Sequence, residues 1–297
     1  MLSVLYSAVG QGLLWAMVTF GVFLTYRILD FADLSVDGTL AFGGAVAAVL
    51  TMAGWDPLLC VLAAAAAGAA AGALTALFAT KMRIPAILSG ILTQIALYSI
   101  NLRIMGKSNV ALLNQDTVFR KCAGLLGVSA RTSELLVGLL AVLLTGGLLW
   151  LFLKTEKGLA VRATGGNARM IRALGVNTNS TITLALVLSN ALVGLGGALI
   201  AQQQGFADVG MGTGAIVIGL ASVIIGEVLF GKRNLLQNLI AVVLGSVIYR
   251  AIIALVMQWR VVSAGDLKLI TAVIVAAALF LPTLKKKRSA TAGGEVR

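Results

Sequence analysis

Nine apolar runs of about helix length divide this chain, at about 4–26, 38–54, 57–79, 86–105, 133–153, 181–202, 212–230, 235–257 and 266–283. A bilayer core takes about 20 mostly apolar residues as one helix. A backbone in hydrocarbon must also satisfy its own hydrogen bonds. The pattern therefore predicts an all-α, polytopic membrane protein with about nine transmembrane helices. The run 38–54 is short and glycine-rich, which suits a re-entrant helix as well as a span. Composition agrees: 59% of residues are hydrophobic and 11% charged, with a mean hydropathy of +1.00, against roughly 25% charged in soluble domains. No separate soluble domain is expected. Residues 1–284 read as one transmembrane domain and 285–297 as a basic tail. The first basic residue is Arg27, so the start lacks the positive region of a cleavable signal.

The net charge of +12 is explained by topology rather than by a nucleic-acid partner, because basic residues collect in cytoplasmic loops. With the tail Lys285-Lys286-Lys287-Arg288 inside, Lys232-Arg233, the stretch Lys154 to Arg172, Lys81, Arg83 and Arg27 also fall inside. Together with Arg297 these are fifteen of the 23 basic residues. Four of the others lie in the outer loop 106–132. Nine spans then put the N-terminus outside and the C-terminus in the cytoplasm. Cys60 and Cys122 form no paired motif. Without histidine, His-based metal sites, general bases and pH switches are excluded.

A signature occurs twice. Phe31-Ala32-Asp33-Leu34-Ser35-Val36-Asp37-Gly38-Thr39 returns as Phe206-Ala207-Asp208-Val209-Gly210-Met211-Gly212-Thr213-Gly214, so that residue 31 matches residue 206, an offset of 175. A chance match of Phe-Ala-Asp between two membrane-end loops is the competing explanation. Repeat one covers about 5–105 and repeat two about 181–283, with a linking span at 133–153 between them. Four spans plus one is odd, so the copies would face opposite sides. Inverted repeats are a transporter architecture, with the site near the midplane between the halves.

Between the repeats lies a long charged segment, 154–180. Its middle reads as a short amphipathic helix, with Ala168, Ile171, Leu174 and Gly175 on one side and Arg162, Arg169 and Arg172 off it. Such a helix could rest on lipid headgroups or dock on a protein.

Asp33-Leu34-Ser35-Val36 before a glycine-rich helix, with Arg162-Ala163, Asn167 and Leu174-Gly175-Val176-Asn177, resembles the permease subunits of bacterial ABC importers. The branch is that of branched-chain amino acids, ribose-type sugars and nucleosides, and within it the tryptophan- or tyrosine-type amino-acid permeases. The resemblance implies a type II importer fold in the bacterial inner membrane and a cytoplasmic ATP-binding subunit carrying ATP and Mg²⁺. It also implies an extracytoplasmic substrate-binding protein and a second permease copy, for which a homodimer is expected. Arg162, Ala163, Gly166, Asn167, Arg169, Leu174 and Gly175 would couple to the ATPase. The chain is shorter than sugar permeases, as if lacking their first helix.

Gly226-Glu227-Val228-Leu229-Phe230-Gly231-Lys232 mimics a phosphate loop, but Arg233 stands where Ser or Thr must bind magnesium, and no strand precedes it. No cofactor is therefore expected on this chain, and no catalytic site is proposed. Polar residues that interrupt apolar segments are costly in hydrocarbon and face a cavity or protein. Asp33, Ser35, Asp37, Gln94, Asn190, Gln203 and Asp208 are on that ground candidates to line a substrate pathway. Asp33 and Asp208 also suit helix capping, and the amides suit helix–helix hydrogen bonds. Glu227 is expected to pair with Lys232 or Arg233. An ion-coupled secondary transporter, or an importer of a sugar or nucleoside, fits the same carboxylates.

Overall fold

The computed structural model describes residues 2–231, 234–258, 271–273 and 275–276. Within them the chain forms α1 (Leu2–Val22), continued by a π-helical segment (Phe23–Ile28), then α2 (Val36–Met52), α3 (Pro57–Thr80), α4 (Ala86–Met105) and α5 (Val118–Leu126). These are followed by α6 (Ala130–Lys154), α7 (Glu156–Ala173), α8 (Thr178–Gln204), α9 (Ala215–Phe230) and α10 (Leu235–Gln258). Two three-residue strands, β1 (Asn109–Ala111) and β2 (Phe206–Asp208), pair antiparallel with Val110 opposite Ala207.

Eight of the nine apolar runs are helices in the described residues. The ninth, 266–283, lies almost wholly outside them. Six helices are long and apolar enough to cross a membrane, while α2 and α9 have only 17 and 16 residues. At 1.5 Å per residue these two measure about 25 Å, short of a hydrocarbon core of about 30 Å. The segment 106–132, expected as a loop, instead contains β1 and α5. Helix α5 buries Phe119 and leaves Leu125 and Leu126 exposed.

Helix boundaries follow local chemistry. Asp56 caps α3, accepting the Leu58 N–H at 2.9 Å ahead of Pro57, a residue suited to the first helical position. Asn177 caps α8, and Gly106 and Gly205, both at positive φ, end α4 and α8.

The centre is α1, whose apolar window is 89% buried, with α8 beside it, whereas that of α6 is 22% buried and marks the periphery. Helices α2, α3 and α8 meet through backbone. Gly43 of α2 lies against Gly194 of α8, and Gly197 of α8 against the Leu40 carbonyl of α2. Small residues permit such approaches in membranes, where packing rather than hydrophobic transfer joins helices.

At one end of the bundle sit β1, β2, α5 and the Asp56–Lys121 ion pair (2.6 Å). Lys121 beside Asp56 and the Leu58 N–H hold the Asp56 carboxyl below the usual carboxylate range. At the other end lie α7 and the π-helical end of the first span. Helix α7 is broken at Asn167 (φ −160°, ψ 91°), whose Oδ1 accepts the Met170 N–H and starts a second short turn of helix. The expected apolar side divides: Ile171 is buried, but Leu174 is 70% exposed and lies past the helix end.

Candidate functional site

The duplicated signature forms the same local turn twice. The Ser35 N–H donates to Asp33 Oδ1 at 2.9 Å, and the Gly210 N–H donates to Asp208 Oδ1 at 2.7 Å. The first turn follows the π-helical segment and the second lies in and after β2, which sit at opposite ends of the bundle, so the two turns enter from opposite ends. Neither connection stays there. Met211 packs on Gly44, two turns into α2, and Gly212 packs on the Asp37 carbonyl near its start. The chain after β2 thus runs inward along α2.

It ends at Asp37. The Asp37 carboxylate accepts the Gly214 N–H on Oδ2 at 2.8 Å and the Ile216 N–H on Oδ1 at 2.9 Å. A residue in the first turn of α2 therefore caps α9. The starts of both short helices meet inside the bundle, and their positive dipole ends share one carboxylate. Gly38, the next residue, lies against the Cα of Gln94 in α4. Asp37 and Gln94 are half-buried and Thr213 is exposed, so this junction has an open side.

Asp33 is elsewhere and closed in, with 2% of its surface exposed. Its Oδ1 accepts from Ser35 Oγ at 2.5 Å as well as from the Ser35 N–H, and its Oδ2 accepts from Asn190 Nδ2 at 2.8 Å. Asn190 Oδ1 in turn accepts from Thr39 Oγ1 at 2.7 Å. A buried carboxylate is tolerable when its acceptor capacity is filled in this way. The network pins the start of α2 to the middle of α8.

The structure thus brings together Asp33, Ser35 and Asn190, and separately Asp37 with Gln94. It places Asp208 in β2, half-buried, with Asn109 Nδ2 3.4 Å from its Oδ2. Gln203 lies at the same end, beside a cavity of about 300 Å³ that Glu134 and Arg131 also line. Sequence reasoning missed Thr39, Gln202 and Arg27. Gln202 bonds Pro57 O and the Val118 N–H and ties α5 to the bundle. Arg27 Nε lies 2.7 Å from Glu227 Oε1 as an ion pair; Lys232 and Arg233 lie outside the described residues. Thr39 closes the first copy of the signature but is matched by Gly214 in the second, and Gln202 and Arg27 stand in no motif, so no local signal marks their partners. Arg250 stacks over Trp15 at 4.0 Å, a cation held on an aromatic face between α10 and α1.

In α7, Arg162, Gly166, Asn167 and Arg169 are exposed and Ala163 is half-buried; Leu174 and Gly175, just past its end, are exposed too. Exposed with them are the apolar side chains of Leu159 and Met170. The segment is nevertheless anchored. Gly165 sits against the Ile28 carbonyl, Thr164 and Thr181 hydroxyls bond at 2.9 Å, and Arg172 holds Thr178.

A bundle of apolar helices with interrupted, carboxylate-bridged segments and an anchored polar helix at one end defines a multi-pass membrane transport subunit. The chain belongs to the family described as branched-chain amino acid transport system permease component, whose model matches residues 4–284; these are permeases of the ABC type. It is 40% identical to a tyrosine transport system permease protein of Clostridioides difficile, over 94% of this chain and 91% of that one. It is 32% identical, over 84% of this chain and 87% of the relative, to an uncharacterized protein of Rickettsia prowazekii. Against the autoinducer 2 import system permease protein LsrC of Escherichia coli the identity is 30%, over 76% of this chain and 64% of the relative. No solved structure gives a match.

Proposed function

We propose that this permease imports an amino acid, with tyrosine the first candidate, across the bacterial inner membrane, driven by a separate ATPase and supplied by an extracytoplasmic binding protein. The observation that carries this reading is the anchored, exposed helix α7. Leu159, Met170 and Leu174 face outward beside Arg162 and Arg169 at the end of the bundle where basic residues collect. That end is the cytoplasmic one by the charge rule, which puts the N-terminus outside. An exposed apolar set rimmed by cations suits a protein partner. ATP binding by that partner supplies the differential energy that a population shift requires.

The pathway runs past the open side of the Asp37 junction, where Gln94 and Thr213 stand, in an assembly of two permease copies. Asp33, Ser35 and Asn190 shape it from behind by fixing α2. Asp37 already takes the Gly214 and Ile216 N–H groups, and its carboxylate at the open side suits the ammonium group of an amino acid better than an uncharged sugar.

The test is reconstitution of the permease with its candidate ATPase and binding protein in vesicles. ATP-dependent uptake of radiolabelled tyrosine or another amino acid, lost with Arg162→Glu or Leu174→Asp together with ATPase co-purification, is the expected result. Uptake by the chain alone, driven by an ion gradient and indifferent to ATP, would establish the secondary-transporter reading instead.

A further inference from the structure

We propose that Arg27 and Glu227 are positioning residues whose ion pair hands the movement of α7 to the helix junction at Asp37. The inference rests on the transport role proposed above, and it concerns four elements in contact.

Glu227 lies in the last turn of α9, with 8% of its side chain exposed. A carboxylate so enclosed in a membrane bundle is costly unless it is paired. Arg27 Nε meets it at 2.7 Å from the π-helical segment Phe23–Ile28. Such π-helical turns are rare and concentrate at functional positions. The same segment carries α7: a methyl group on Gly165 would collide with the Ile28 carbonyl, so α7 rests directly on this backbone.

At its opposite end α9 is held by Asp37, through Gly214 and Ile216. Helix α9 is uninterrupted from Ala215 to Phe230 and behaves as a rod of about 24 Å. Displacement of α7 therefore bears on the π-helical segment, crosses to α9 through Arg27–Glu227, and arrives at the Asp37 cap. Making and breaking that pair gives the two arrangements that coupling through packed elements requires.

Two measurements test it. In the isolated permease, with Cys60 and Cys122 replaced by serine, Thr213→Cys reports the junction end of α9 through its rate of maleimide labelling. Arg27→Gln or Glu227→Gln should change that rate by about threefold or more, and the exchange Arg27→Glu with Glu227→Arg should restore it. A control cysteine at Leu125 should not respond. In reconstituted transporter, the single variants should still bind and hydrolyse ATP, while tyrosine taken up per ATP falls by about tenfold and recovers in the exchange. Labelling at 213 that is unchanged in both single variants overturns the joint, whether or not an ATPase associates. A changed labelling rate with no recoverable ATPase supports the joint and removes the importer reading.

Discussion

Asp37 Oδ2 accepts the backbone N–H of Gly214 at 2.8 Å, across 177 residues of sequence. One carboxylate thereby joins the two copies of the signature, the first through its own helix and the second as a cap. Capping interactions of this kind contribute about 0.5–2 kcal/mol. Asp37→Ala leaves the Gly214 and Ile216 N–H groups without their side-chain acceptor, inside the bundle. Thermal unfolding in detergent should begin several degrees lower, and transport should be lost. Asp37→Asn, which keeps one oxygen, should lie between. A melting temperature for Asp37→Ala equal to wild type would show that the cap is not structural.

The knot around Asp33 gives a different order. Asn190→Leu removes the amide donor at 2.8 Å from Asp33 Oδ2 and leaves the buried carboxylate with its Ser35 donors on Oδ1 alone. Hydrogen bonds to charged groups contribute about 1.5–3 kcal/mol, so this variant should be less stable than Thr39→Val, which removes one neutral partner of Asn190. Asp208→Ala, at a half-buried turn, should cost least. Equal stabilities across the three would contradict the network.

Glycine contacts separate folding from tolerance. A methyl group at Gly197 would collide with the Leu40 carbonyl, whereas Gly166 has open space around it. Gly197→Ala should therefore yield little monodisperse protein on size exclusion. Gly166→Ala, in helix, should match or exceed wild type because alanine is the better helix former by about 1 kcal/mol.

Asp56 supplies the acid dependence. Its carboxyl is held below the usual value of 3.8 by Lys121 and the Leu58 N–H. A depressed carboxyl contributes stability that is present above its unfolded pKa and lost as pH falls through the folded one. The contribution is small because the pair is exposed. Fluorescence of Trp55, with the other tryptophans replaced, should shift in the acid range below about pH 4. Lys121→Met should move that shift to higher pH. An identical titration in the two proteins would exclude the pair as its cause.

Read as sequence, the apolar runs determine that the backbone is helical and membrane-embedded, because hydrocarbon offers no other hydrogen-bond partner. Caps such as Asp56 and stops such as Gly106 and Gly205 set boundaries through local geometry, and the Phe-Ala-Asp duplication marks two turns with the same side-chain hydrogen bond. These are short-range properties and are legible residue by residue. Sequence could not tell that Asp33 is sealed by Asn190 while Asp37, four residues on, reaches the start of α9. Nor could it pair Glu227 with Arg27, 200 residues away, when Lys232 and Arg233 stood nearer in the chain. Those outcomes depend on which helices touch and at what rotation. Here that is decided by close backbone approaches such as Gly43 to Gly194 and Gly197 to Leu40, and the side chains that meet across such contacts carry no pattern of their own. The tertiary structure alone chose the partners, because only packing brings residues so far apart in the chain within hydrogen-bonding distance.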